Sequence, residues 1–134
     1  MVDFVVDASV VCCWALPDES SPIADKALDL LQNADGIAPD LLWHEVRNVL
    51  MLARRRKRIN FDRMVEAMRI LRGLSVLTSA PADDRLILTL AERHALTAYD
   101  AAYLALALDR QLSLATLDRR LAEAAIREGV ALLR

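Results

Sequence analysis

Short β-branched apolar runs alternate along this chain with longer stretches in which apolar residues recur at helical spacing. Residues 2–6 read as a strand that presents Asp7 at its C-terminal end, 8–16 as a helix stopped by Pro17, and 22–33 as a second helix with Pro22 suited to its first turn. A minimal strand at 36–38 precedes Pro39. Residues 40–57 are the longest helical candidate, and Leu41, Glu45, Asn48 and Leu52 fall at i, i+4, i+7 and i+11 on one face, which sets two polar residues among leucines. Residues 62–72 form a further helix closed by Gly73, 75–78 a strand, and Asp83 or Asp84 caps a helix running to His94. After residues 96–108, the pattern predicts a strand at 112–115, a helix at 118–128 and a final strand at 129–133.

The stretch 96–108 organises the rest. From Ala101 to Leu108 every residue is apolar or tyrosine, so a helix here is hydrophobic on all sides and has to be covered by the remainder of the fold. Strands alternating with helices, each strand short and uniformly apolar, predict a three-layer α/β/α architecture with a mostly parallel central sheet of about four to five strands. In such sheets ligand sites form outside the C-terminal strand ends. Asp7 and Asp118 both lie just past predicted strands.

Composition narrows the class. The 134 residues, 55% hydrophobic, match a single domain spanning 1–134 with a substantial core. A formal charge of −2 marks neither a nucleic-acid binder nor a membrane-surface protein by bulk electrostatics. Adjacent Cys12 and Cys13 suit neither a disulfide with each other nor a zinc site, and read as reduced core thiols. With no signal-peptide pattern and no apolar run long enough to span a bilayer, the expected location is the cytoplasm.

Four acids stand at the ends or edges of buried elements: Asp7, Glu45, Asp100 and Asp118. Each has a bland reading, as a helix N-cap for the aspartates and a boundary residue for Glu45. Taken together they fit different chemistry. Carboxylates about 4 Å apart repel by several kcal/mol, so a converging set stays ionised only around a cation, and an all-oxygen set suits Mg²⁺ or Mn²⁺. A metal held this way activates water for in-line attack on a phosphodiester. Glycine-rich phosphate loops, spaced Cys or His ligands and a nucleophile elbow are all missing from the sequence. A covalent aspartyl-phosphate reading lacks its Asp-x-Asp pair, and Lys26 and Lys57 are the only lysines.

These residues carry a family resemblance. Phe4-Val5-Val6-Asp7-Ala8-Ser9-Val10-Val11 with Trp14 and Pro17, then Glu45-Val46-Arg47-Asn48, then Tyr99-Asp100-Ala101-Ala102-Tyr103 with Ala105 and Ala107, then Thr116-Leu117-Asp118, resemble a PIN-domain ribonuclease of the VapC toxin type over nearly the whole chain. The resemblance implies a Mg²⁺-dependent endoribonuclease, usually dimeric, neutralised by a cognate antitoxin. It makes Asp7, Glu45, Asp100 and Asp118 the acidic quartet that binds metal and carries catalysis. Ser9 and Thr116 match supporting hydroxyl positions, and Asn48 is counted as a further supporting residue. One departure is visible: many members carry lysine just before the tryptophan, where this chain has Cys13.

The one dense basic run, Arg54, Arg55, Arg56, Lys57 and Arg58, reads either as solvated cations favouring a helix C-terminus or as an RNA-binding edge. Trp14 and Trp43 read as packing residues before base-stacking ones. Two other functions stay open on the sequence, an RNA-processing or DNA-directed nuclease of the same fold and a catalytically silent binding module whose acids are caps and surface charges.

Overall fold

A computed structural model describes residues 2–134. The chain runs β1 (Phe4–Val6), α1 (Ala8–Ala15), α2 (Pro22–Leu30), β2 (Gly36–Pro39), α3 (Leu42–Arg55), α4 (Phe61–Arg72), β3 (Val76–Ser79), α5 (Asp84–His94), α6 (Ala98–Arg110), β4 (Ser113–Ala115) and α7 (Arg119–Arg127). The strands form one parallel sheet in the order β3-β2-β1-β4, with Val5 opposite Ile37 on one side and Leu114 on the other. β1 and β2 are buried along their whole length, as apolar strands covered by helices on both faces must be. Gly36 sits where side chains leave little room, since a Cβ there would lie 3.2 Å from Val6 Cγ1.

The helices make the outer layers of a three-layer α/β/α fold. α6 lies over β1 and β2 with α5 and α7 against it, while α1, α2, α3 and α4 pack on one another. Residues Ala101 to Ala107 of α6 are all buried, so the all-apolar pattern of this helix is accounted for by cover on every side. The sheet order places the topological switch point at β1: the chain leaves β1 toward β2 and later returns to its other side at β4. The C-terminal ends of β1 and β4 therefore open beside each other, at the position where ligand crevices form in such sheets.

Three expectations change. The predicted strand at 129–133 is absent: α7 ends at Arg127, Gly129 turns the chain at φ +78°, and only an isolated parallel bridge joins Leu132 to Leu114. Two hydrogen bonds, Leu114 N–H to Ala131 O and Leu133 N–H to Leu114 O, are all that this segment adds to the sheet edge. The buried stripe of α3 is Leu42, Val46, Leu50 and Ala53, one residue out of phase with the predicted face, so Asn48 and Leu52 are exposed. Helix α6 is capped by the Thr97 side chain, which accepts the Asp100 N–H, so Asp100 is not the N-cap. Element ends otherwise shift by up to a few residues: Val2 is exposed ahead of β1, and Asn60 caps α4. The two cysteines are free and buried, and no helix among the described residues is long and apolar enough to cross a membrane.

Leu104 of α6 is fully buried and central to this packing. Leu104→Ala is expected to cost about 2–5 kcal/mol of stability. Equilibrium urea unfolding checks it, with a lowered midpoint and an unchanged slope as the expected pattern.

Candidate functional site

Asp7 emerges at the end of β1, and its burial is what the surrounding residues answer. The carboxylate is 4% exposed and caps α1 by accepting the Val10 N–H at 3.2 Å. The same Oδ1 accepts the Ser9 hydroxyl at 2.6 Å, and Oδ2 accepts the Thr116 hydroxyl. Both hydroxyls in turn accept backbone N–H groups of the segment after β4, Ser9 from Leu117 at 2.9 Å and Thr116 from Asp118 at 3.0 Å. Asp7, Ser9 and Thr116 thus knit the ends of β1 and β4 into one unit. Burial pushes the Asp7 carboxyl up to about 6, against the opposing pull of its Ser9, Thr116 and Val10 hydrogen bonds, and Asp100 adds to the rise.

The other three acids reach the same place from different elements. Asp118 caps α7 by accepting the Leu121 N–H at 3.1 Å, Asp100 stands in the first turn of α6, and Glu45 projects from α3. All four line one cleft of about 710 Å³, with Asp18 and Glu19 from the loop after α1 at its rim. Among the described residues no lysine or arginine lines it. Burial raises the Glu45 carboxyl, with Asp100 and Asp7 pushing the same way, and burial followed by Asp118 raises that of Asp100. Capping and convergence are therefore not alternatives for Asp7 and Asp118, since the turn from strand to helix that needs a cap also aims the carboxylate into the cleft.

The cleft suits a divalent cation held by oxygen. Among the described residues no three His, Cys, Asp or Glu side chains are gathered into a ready-made metal cage. Mg²⁺ does not require one, because it commonly takes one or two carboxylates and keeps several waters. Crowded, partly desolvated carboxylates, with Arg120 alone pulling against the rise at Asp100 from outside the lining, are the donor set such an ion relieves.

A PIN domain family model matches residues 4–127. The chain belongs to the PIN-domain family. It is 36% identical over 124 residues to Ribonuclease VapC3 of Pyrobaculum aerophilum, across 89% of this chain and 92% of that protein. Its fold is similar to PAE2754 of Pyrobaculum aerophilum, with a TM-score of 0.73 and 24% identity over 92% of this chain and 84% of that one. It is also similar to FitAcB of Neisseria gonorrhoeae, with a TM-score of 0.66 and 18% identity over 100% of this chain and 97% of that one.

In this PIN domain the remaining candidates take different positions. Asn48 is exposed and lines a smaller hollow beside Glu45 with His44 and Tyr99, outside the main cleft. Arg54, Arg55, Arg56 and Lys57 are exposed around the C-terminal end of α3. Arg58 is engaged: its guanidinium bonds Asp18 at 2.9 Å and Glu19 at 3.4 Å, tying the basic run to the acidic rim. Trp14 donates its indole N–H to Ala24 O, and Trp43 packs under the Arg72 guanidinium, 4.9 Å from the ring centroid, so neither faces the cleft. Cys13 does line it, as does Cys12, whose thiol burial pushes up to about 12. Sequence reasoning passed over Tyr103, which lines the cleft and donates its hydroxyl to Glu45 Oε1 at 2.7 Å. Its signal was present as a polar atom at i+3 from Asp100 in an otherwise apolar helix.

Asp7 makes the metal-free protein sensitive to pH. The folded state holds this proton up to about pH 6 whereas the unfolded carboxyl releases it near 3.8, so the contribution of Asp7 to stability falls as pH rises from 4 through 6 and levels above. Asp7→Asn keeps the shape and removes the ionisation. From pH 4 to pH 7 the stability difference between variant and parent should move by roughly 2 kcal/mol in favour of the variant, read by thermal or urea unfolding with chelator present.

Proposed function

We propose that this PIN domain is a Mg²⁺-dependent endoribonuclease, Mn²⁺ being a possible substitute, that hydrolyses RNA phosphodiester bonds as the toxin of a toxin-antitoxin pair. The observation that carries the reading is the convergence of Asp7, Glu45, Asp100 and Asp118 on one cleft that no basic side chain lines. Similarity to a named ribonuclease at 36% identity over most of both chains supports the reaction class. In this reading Asp7 and Asp100 are the principal ligands, with Glu45 and Asp118 completing the acidic set.

A divalent cation bound there would lower the pKa of a bound water and offset the charge that builds on the phosphoryl oxygens. The chain's own residues supply the rest. Asp7 is immobilised by Ser9, Thr116 and the Val10 N–H, so its position costs nothing further when substrate arrives. Asp100 and Asp118 are fixed by the first turns of their helices, and Glu45 by Tyr103. In this reading Glu45 and Asp118 accept a proton from attacking water, and Asn48, in the adjoining hollow that Glu45 also lines, is a supporting residue. RNA approaches an acidic cleft against its own charge, and the exposed Arg54, Arg55, Arg56 and Lys57 form a dense group of cations that can offset this. Arg58 contributes by neutralising Asp18 and Glu19 at the rim.

The same reading makes the protein a cytoplasmic homodimer with a cognate antitoxin as partner. The exposed Phe61, Val65 and Ile70 of α4, and Leu77 on the sheet-edge strand β3, are apolar surface consistent with such contacts.

RNA and DNA substrates offered side by side test the assignment. RNA should be cleaved with Mg²⁺ or Mn²⁺, cleavage should stop with chelator, and Asp100→Asn should lower kcat by about 100-fold or more, matching several kcal/mol of lost charge stabilisation. An Asp100→Asn protein as active as the parent overturns the assignment, and preferential DNA cleavage moves it to a DNA-directed nuclease.

The basic run has its own test. Replacing Arg54 and Arg55 by glutamine should weaken RNA binding and reduce the log–log salt slope by about one unit for each phosphate that is no longer neutralised. An unchanged slope leaves these residues as a solvated helix end.

A further inference from the structure

We propose that Tyr103 is a positioning residue of this site: its hydroxyl holds Oε1 of Glu45, so that Oε2 is the one oxygen Glu45 presents to a cation or its bound water. The inference rests on the nuclease reading of the cleft and extends it to a residue that acts through Glu45.

Tyr103 is 1% exposed, on the helix whose remaining buried positions are alanines and leucines. Phenylalanine would fill this space equally well, and a buried phenol hydroxyl has to find a partner or lose its hydration uncompensated. The partner it finds is a carboxylate on α3, 58 residues away in sequence, at 2.7 Å. A bond of that length to an ionised acceptor is among the strong ones. Oε2 of Glu45 has no hydrogen-bond partner among the described residues, and the side chain lines the cleft.

The bond acts against a real tendency. Asp7 and Asp100 both repel Glu45, and a glutamate with three free torsions on a half-buried helix face relieves that repulsion by swinging out to water. Tyr103 prevents it. Asp100 and Tyr103 are three residues apart on α6, so both project from one helix face. A single rigid helix therefore sets where Asp100 stands directly and where Glu45 stands through the phenol. The separation of two acids from different elements is thereby fixed without any contact between them.

The experiment compares the parent, Tyr103→Phe, Glu45→Gln and the double variant. Each is assayed for Mn²⁺ binding to metal-freed protein by calorimetry or electron paramagnetic resonance, and for kcat and KM on RNA. Supporting groups behind a metal ligand typically contribute 10–100-fold. Tyr103→Phe should raise the Mn²⁺ Kd by about 10-fold and lower kcat by about 10-fold, with KM for RNA within about twofold of the parent. In the Glu45→Gln background the same substitution should change neither quantity further, because the group it acts through is gone. A hydroxyl that only satisfies the core would shift the melting temperature and leave Kd and kcat alone, and that result overturns the inference. Should Tyr103→Phe fail to fold, Glu45→Asp keeps the charge but is too short to reach the phenol, and it should show the same loss; parental Mn²⁺ affinity there overturns the inference as well. A parent that binds Mn²⁺ but leaves RNA intact defeats the nuclease reading alone, and the ratio of Mn²⁺ affinities then decides the role of Tyr103. A parent that binds no Mn²⁺ overturns both.

Discussion

A carboxylate that is 4% exposed at the end of the central strand, with no cation beside it, is the constraint on which the site is built. Burying Asp7 is costly, and three hydrogen bonds from Ser9, Val10 and Thr116 reduce that cost without removing it, which is why its proton is still held to about pH 6. The hydrogen bonds do more than compensate. Two of them come from hydroxyls that also accept backbone N–H groups of residues 117 and 118, so the strand that carries Asp7 and the turn that carries Asp118 cannot move independently.

The same arrangement recurs around the cleft. Asp7 and Asp118 serve as helix caps while facing the cleft, and Asp100 sits in a helix first turn, where the macrodipole favours its charge. Each acid is held by local backbone geometry that would be needed even in a protein without this site. Glu45 is the exception. It projects from the start of its helix with no cap or backbone group to hold it, and its position depends on one phenol reaching across from α6.

Charge is distributed so that repulsion inside the cleft and attraction outside it coexist. Six carboxylates line the cleft, and the one dense cationic run stands at the end of α3, outside it. Arg58 joins the two by bonding Asp18 and Glu19. These are exposed pairs, worth little to stability, and their effect lies in the potential at the cleft mouth.

The elements and their layer order were legible in the residues themselves. Apolar strands too short and too uniform for anything but a covered parallel sheet, and one helix apolar on every side, leave few other arrangements, and the acids at strand ends follow from that alternation. The Asp7, Asp100 and Asp118 positions were legible for the same reason, because each is tied to a local turn. What depends on packing between distant segments was not. Helix α3 and the residue before it carry apolar side chains at 41, 42, 43, 46, 49, 50, 51, 52 and 53, and that pattern permits more than one buried face. Packing against α1 and α4 chooses Leu42, Val46 and Leu50, which turns Asn48 outward. The apolar run after Gly129 looks like a strand, yet the chain makes only one bridge there. Arg58 reads as a free cation in sequence and is an ion-pair partner of a loop 40 residues earlier in the chain. Tyr103 reads as core, and its hydroxyl acquires a task only when α3 brings a carboxylate to it. Periodicity is a property of neighbours along the chain, whereas register, ion pairing and a hydrogen bond across 58 residues are decided by which surfaces meet when the helices close over the sheet.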